Sequence, residues 1–204
     1  MHAGTDRTLT AQHGRRLEYF TIAWNMLEGL LSVIAGALAG SIALVGFGID
    51  SFIEVTSAGA LLWRMHVDAD VERRERSGRL ALRIVGGCFV ALAIYIAVDS
   101  IKTLLAREVP ERSVFGVVIA VVSLVVMPLL ARAKRRVAAR LNSAAMEADS
   151  RQTDFCMYLS AILLVGLALN WLLGWWWADP VAALVMVPII ANEGIEGLSG
   201  SPLR

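Results

Sequence analysis

The chain has 204 residues, of which 57% are hydrophobic and 18% are charged, and its mean hydropathy is +0.63. A folded domain still needs a polar shell, so this composition excludes a water-soluble enzyme of this size. The formal net charge is only +1, from 19 Lys and Arg against 18 Asp and Glu, so no overall field recruits nucleic acid. The composition predicts an integral membrane protein.

The first two membrane helices are predicted within one apolar stretch, residues 17 to 63. A membrane helix needs about 20 mostly apolar residues, so the stretch holds two crossings, at residues 18–39 and 42–64. Gly40 and Ser41 are the predicted turn, because glycine ends a helix at little cost. The alternative, one span over the uncharged residues 29–49, leaves residues 51–64 as an orphan helix.

Four further crossings are predicted after these two. They are predicted at about residues 80–105, 113–132, 145–173 and 176–197, and the three tryptophans at 175–177, where the last one begins, are predicted to be a membrane-interface anchor. No apolar run alternates with period two, which favours helices over a β-barrel. The sequence therefore predicts an all-α membrane protein, with six transmembrane helices forming one transmembrane domain over residues 1–204.

Basic residues concentrate on one side of this predicted bundle. The loop between spans 2 and 3 has Arg64, Arg73, Arg74, Arg76, Arg79 and Arg83, and the loop between spans 4 and 5 has Arg132, Lys134, Arg135, Arg136 and Arg140. The other side has only Lys102, Arg107 and Arg112. By the positive-inside rule, both termini are cytoplasmic in a multi-pass protein of a bacterial-type inner or cell membrane.

Two acidic residues in span 2 are the principal candidate site. Asp50 lies close to the membrane midplane, and Glu54 follows at i+4 on the same helical face. An acidic side chain at this depth costs about 2.5–3.5 kcal/mol, and no Lys or Arg of the span can neutralise the pair, because Arg64 is at its cytoplasmic end. Two such carboxylates repel unless a proton or a cation lies between them. The alternative is that one carboxylate is protonated and hydrogen-bonded to a neighbouring helix.

Span 5 offers partners for this pair. Asp149 and Thr153 are spaced i, i+4, while Asp154 is one residue further around the helix. Each acid is either a metal ligand or part of a solvated helix end, and Thr153 is either a ligand or bonded to its own backbone. Arg151 is placed to pair with Glu147 at i−4.

Span 1 contributes accessory candidates. Glu28 either relays protons or pairs with a loop arginine, and Asn25 is an accessory ligand or a hydrogen-bonded contact between helices. Asp179, just before Pro180, is predicted to cap the helix that it begins.

The remaining reactive side chains are assigned no role. Cys88 and Cys156 lie in apolar runs without ligand spacing, which predicts inert buried thiols. Glu193 and Glu196 lie at the inner end of span 6, where solvation is expected.

The segment from Gly46 to Glu54 resembles the second-helix motif of the cation diffusion facilitator family, in which residues at i, i+4 bind a divalent metal. The stretch from Ala148 to Leu163 is similar to the fifth helix of that family. The resemblance implies six spans and a metal/proton antiporter, commonly for zinc. It also implies a homodimer, with the transported ion held between helices 2 and 5.

The chain departs from the family pattern in two ways. No histidine lies in a span, and Asp149 is followed at i+4 by Thr153 where the family has an acid. The expected site is therefore all oxygen, which adds manganese, iron and cobalt to the candidate ions. The sequence stops after helix 6 and so resembles the short members without a cytoplasmic domain. A dimer would then form through membrane helices, with Gly36 and Gly40 as a candidate surface.

The sequence thus predicts a divalent cation efflux transporter, without a permanently bound cofactor, that exchanges metal for protons. Its predicted metal ligands are Asp50, Glu54, Asp149 and Asp154, with Thr153, Glu28 and Asn25 as accessory residues. No Ser/His, His/Glu or Cys/His set lies within the spans, so an enzyme is not expected. The alternative function is a non-transporting membrane subunit or regulator.

Overall fold

The computed structural model describes residues 2–66 and 71–199, with the side chains of 2–8, 64–66, 71–79, 81, 144, 145 and 148 outside this description. The arginines predicted to orient the loop between spans 2 and 3, from Arg64 to Arg79, therefore lie outside the described side chains.

Six helices account for nearly all of the described chain, and no strand occurs within these ranges. They are α1 (His2–Ala39), α2 (Ile42–His66), α3 (Val71–Ala106), α4 (Val114–Leu141), α5 (Ala144–Leu173) and α6 (Ala178–Ser199). Each contains a segment long and apolar enough to cross a membrane. The predicted all-α fold with six membrane helices is confirmed.

Local sequence signals set several helix ends. Gly40 and Gly174 adopt φ values of +64° and +66°, a left-handed conformation that glycine adopts without a side-chain clash. Ser113 and Ser143 cap α4 and α5, and their hydroxyl oxygens accept hydrogen bonds from the backbone N–H groups of Gly116 and Met146. Trp175 and Trp177 stack with ring centroids 5.0 Å apart in the turn before α6.

Asp179 caps a different helix from the one predicted. It lies inside α6, fully buried, and accepts hydrogen bonds from the Ser41 hydroxyl at 2.5 Å and the Ile42 backbone N–H at 3.0 Å. The first turn of α2 has unsatisfied N–H groups that favour a carboxylate. Asp179 therefore ties the beginning of α6 to the beginning of α2.

Residues 132–140, predicted as a loop, instead continue α4 to Leu141. The extension has a buried face formed by Ala131, Lys134, Val137 and Ala138, which recur at helical spacing. Met146 and Leu61 pack on the same cluster. Lys134 therefore lies on the buried face of α4, and the prediction that it is a cytoplasmic loop charge is wrong.

The bundle carries apolar side chains both inside and outside. Phe47, Ile96, Leu163 and Met186 belong to the central buried cluster, while Leu38, Leu105 and Phe115 are at least 78% exposed. Helices α3 and α6, α1 and α2, and α4 and α5 form the most extensive pairs. This pattern matches helices that face lipid on the outside, because exposed apolar side chains are favourable there.

Gly36 is used within the chain. A Cβ placed on it would lie 2.8 Å from the backbone nitrogen of Val45, so α1 packs closely on α2 at this point. Gly40 is in the turn after α1. Gly36 is therefore engaged in a contact within the chain and Gly40 lies outside the helix, so the two do not form the predicted helix surface for a dimer.

Candidate metal site

The acid pair of α2 is buried between helices. Asp50 is 3% exposed and Glu54 is 1% exposed, and both side chains face α5. Their i, i+4 spacing puts them on the same side of α2. The predicted convergence of the two carboxylates inside the bundle is therefore found in the structure.

Cys156 of α5 lies directly between these carboxylates. Its sulfur is 3.2 Å from Asp50 Oδ2 and 2.7 Å from Glu54 Oε2, so the thiol is placed to donate a hydrogen bond to either. Sequence reasoning assigned this thiol no role because it lacks ligand spacing to another cysteine. Its helical spacing carries the signal: Cys156 is i+3 from Thr153 and i+7 from Asp149, on one face of α5. Cys88, also predicted buried, is exposed.

Thr153 joins the acid pair to a second group of charges. Its hydroxyl donates to Glu54 Oε1 at 2.9 Å, with its own backbone acceptor, the Asp149 carbonyl, at 3.2 Å. Lys134 donates to Asp149 Oδ2 at 2.5 Å and to Thr153 Oγ1 at 3.4 Å. Glu18 of α1 completes this group with its Oε2 at 3.3 Å from the Lys134 nitrogen. The predicted ligand Asp149 is thus held in an ion pair.

Asp154 is separated from the acid pair. It forms an ion pair with Arg135, and these side chains are 24% and 46% exposed. Its position one residue beyond Thr153 turns it away from the face that carries Cys156. The neighbouring Arg151 pairs with Glu147 at 2.9 Å, as predicted from their spacing.

A small cavity opens beside Asp50 and Cys156. Its volume of about 10 Å³ is near the space that one water molecule needs, and Gln152 and Glu193 contribute to its lining. Gln152 is 8% exposed, and its Nε2 has no hydrogen-bond partner among the described residues. Glu193 was expected to be solvated, but it is half-buried with Oε2 lacking a protein partner in the described part of the chain.

The accessory candidates of α1 lie on a buried polar face. Glu28 is 2% exposed and accepts a hydrogen bond from the Ser51 hydroxyl at 3.1 Å, and no arginine among the described side chains pairs with it. Asn25 is fully buried, and neither of its amide atoms has a partner among the described side chains. These two residues place polar groups next to α2, apart from the Cys156 contacts.

In this structure, Asp50, Glu54 and Cys156 are joined by hydrogen bonds. Across residues 2–66 and 71–199, no three His, Cys, Asp or Glu side chains form an assembled metal site. In a tetrahedral zinc site with bond lengths of about 2.0–2.3 Å, two ligand atoms lie roughly 3.5 Å apart. The sulfur–oxygen distances of 3.2 and 2.7 Å are both shorter than that spacing.

Comparison with known proteins matches this chain to a cation efflux domain and to transporters. Residues 19–199 match the sequence model described as the cation efflux transmembrane domain. An uncharacterized transporter of Synechocystis sp. is 25% identical over 182 residues, covering 86% of this chain and 59% of that protein. An uncharacterized transporter of Methanocaldococcus jannaschii is 27% identical over 182 residues, covering 86% and 64%.

A third relative has a functional name. The cation-efflux pump FieF of Shewanella oneidensis is 27% identical over 173 residues, which cover 81% of this chain and 58% of the pump. The chain spans about three fifths of the length of these curated relatives.

Proposed function

The chain belongs to the cation efflux family, whose members are membrane transporters, and on this premise we propose that it exports a divalent metal ion through Asp50, Glu54 and Cys156. The transported ion is a substrate that binds between α2 and α5. The observation that carries this proposal is the contact of one thiol with two buried carboxylates on the facing helix.

The proposed ligand set differs from the one expected from sequence. Asp149 and Asp154 are left out because each is already engaged by a cation, Lys134 and Arg135 respectively. Gln152, on the same cavity as Cys156, is included as an accessory oxygen ligand. Thr153 supports the site by orienting Glu54.

Sulfur among the ligands favours zinc. Thiolate ligands select zinc and other thiophilic ions, whereas carboxylates alone suit magnesium, calcium and manganese. Zinc is also the ion that the family resemblance implied. We therefore place zinc ahead of manganese, iron and cobalt as the transported ion.

Exchange of the metal for protons follows from the same ligands. A thiol and two carboxyl groups bind a metal only after they lose their protons, so an arriving ion expels protons. Protons arriving from the outer side compete for the same oxygen and sulfur atoms and release the ion. Buried ligands left negatively charged without either partner would be costly, which couples the two movements.

The first prediction concerns transport by this site. The double variant Asp50→Asn plus Glu54→Gln keeps the size of both side chains but removes their charge. In proteoliposomes with an imposed pH gradient, we expect its zinc flux to fall to the background of protein-free liposomes.

Asp154→Asn is the matched control, because it neutralises an acid of the same bundle outside the proposed site. Its zinc flux should stay at the wild-type level. Equal flux in the wild type and the double variant would contradict the proposed function.

A further inference from the structure

A buried lysine is the most unusual charged group next to the proposed site. Lys134 is fully buried and is the only lysine or arginine with that status among the side chains that the structure describes. A buried ammonium is tolerated only with close negative partners. The structure gives it two, Asp149 at 2.5 Å and Glu18 at 3.3 Å, from α5 and α1.

Asp149, one of the two partners of Lys134, lies close in the fold to the acid pair of α2. Asp149 lies on the same face of α5 as Thr153 and Cys156, at spacings of four and seven residues. Its second oxygen, Oδ1, is buried without a partner among the described residues. A single hydroxyl, that of Thr153, separates Lys134 from Glu54, since it accepts from one and donates to the other.

We propose that Lys134 is a specificity-determining residue that withholds Asp149 and Glu18 from the transported ion. This inference rests on the proposed function. Without the ammonium, Asp149 and Glu18 would be two further unpaired carboxylates, separated from Glu54 by the Thr153 hydroxyl, and added carboxylates suit oxygen-preferring ions such as manganese. With it, two carboxylates and the thiol remain available, a set that favours zinc. Lys134 acts on the ion through other side chains, chiefly Asp149 and Glu18, so it is a positioning residue.

The test compares the binding of zinc and manganese to the purified full chain by isothermal titration calorimetry. In Lys134→Met, the freed carboxylates should strengthen manganese binding, so the preference for zinc over manganese falls about tenfold or more. Adding Asp149→Asn to that variant should restore most of the preference. A purely structural role for Lys134 would not produce this reversal.

Arg135→Gln is the matched control. Arg135 is adjacent to Lys134 and also pairs with an α5 carboxylate, but that pair is partly exposed. Its removal should leave the zinc-to-manganese ratio unchanged. An unchanged ratio in Lys134→Met, or no recovery on adding Asp149→Asn, would overturn the inference.

Two further variants cover the case in which Lys134→Met does not fold. Lys134→Met combined with Glu18→Gln frees only Asp149, so it leaves less unpaired charge and should still weaken the zinc preference. Asp149→Asn alone should keep the zinc stoichiometry of the wild type, and loss of the bound zinc would show that Asp149 is a ligand and overturn the inference. A wild-type chain that binds no zinc would instead contradict the proposed function.

Discussion

Glu54 is held by two side chains of α5, with Thr153 at 2.9 Å and Cys156 at 2.7 Å. A carboxylate buried in a membrane protein is costly unless such donors are present. The thiol is a weak donor. It therefore satisfies the acid pair less well than a metal ion would, which is what a site that must load and unload requires.

The second prediction tests the thiol. Cys156→Ser replaces sulfur with oxygen at nearly the same size. Zinc binding should weaken by roughly ten- to a hundredfold, while manganese binding changes less, because manganese prefers oxygen ligands. Calorimetry with both ions measures the ratio.

Cys88→Ser is the matched control, since Cys88 is exposed on α3 and contacts none of the proposed ligands. Its zinc and manganese affinities should equal those of the wild type. An unchanged zinc affinity in Cys156→Ser would exclude the sulfur as a ligand.

The third prediction concerns Glu193, which lines the cavity next to Asp50 and Cys156. Its negative charge should attract the ion before the ion reaches the buried ligands. In Glu193→Gln, we expect the KM for zinc flux to rise several-fold (about 1 kcal/mol of lost attraction) while the number of zinc ions bound at saturation stays the same.

Glu196→Gln serves as its comparison, because Glu196 lies one turn further along α6 and accepts from Asn192 instead. Its KM should remain at the wild-type value. A lower zinc stoichiometry in Glu193→Gln would show that Glu193 is itself a ligand.

At the scale of helices, α3 and α6 pack backbone against backbone at Gly86. A Cβ on Gly86 would lie 2.7 Å from both the carbonyl oxygen of Gly194 and the backbone nitrogen of Leu198. Both contacts are to backbone, which has little freedom to move aside. Small residues let membrane helices pack this closely and gain dispersion contacts.

The fourth prediction follows from this contact. Gly86→Leu should destabilise the bundle by about 1–3 kcal/mol or more through overpacking. Thermal unfolding of the detergent-solubilised chain measures the effect. Gly87→Leu is the control, because a Cβ there meets nothing within 4 Å, and leucine favours the helix over glycine. Equal loss of stability in both variants would contradict the close-packing explanation.

Helix existence was predictable because each span carries a long apolar run, and Gly40 and Gly174 mark two of the turns. The extension of α4 could not be predicted, because residues 132–140 have the charge density of a loop. Only the buried spacing of Ala131, Lys134 and Ala138 indicates a packed helix there. The partners of a buried face come from other helices, so the ion pair of Lys134 could not be deduced from local pattern.

Of the candidate site, the sequence predicted the residues of α2 but not those of α5. The acid pair of α2 stands out because no other charge occurs nearby in the span, whereas α5 presents several acids at its start. Choosing among them requires the rotation of α5 against α2, which local sequence does not give. That rotation directs Cys156 to the acid pair and Asp154 to Arg135.

At the scale of the whole molecule, the bundle has buried polar groups beside its apolar core and an outer surface rich in apolar side chains. In α1 the fully or almost fully buried polar residues recur at spacings of three and four, and they are Glu18, Thr21, Asn25, Glu28 and Ser32. This face meets α2 and α4. The bundle therefore encloses a polar interior that runs from the Lys134 group to the acid pair, surrounded by lipid-facing side chains.

The most direct test of the central claim is X-ray absorption at the zinc edge on the purified chain saturated with zinc. If Asp50, Glu54 and Cys156 hold the ion, the wild type will show one sulfur neighbour together with oxygen neighbours, and Cys88→Ser will give the same spectrum. Cys156→Ser will lose the sulfur contribution. A wild-type spectrum without sulfur, or a sulfur signal that persists in Cys156→Ser, would contradict the account.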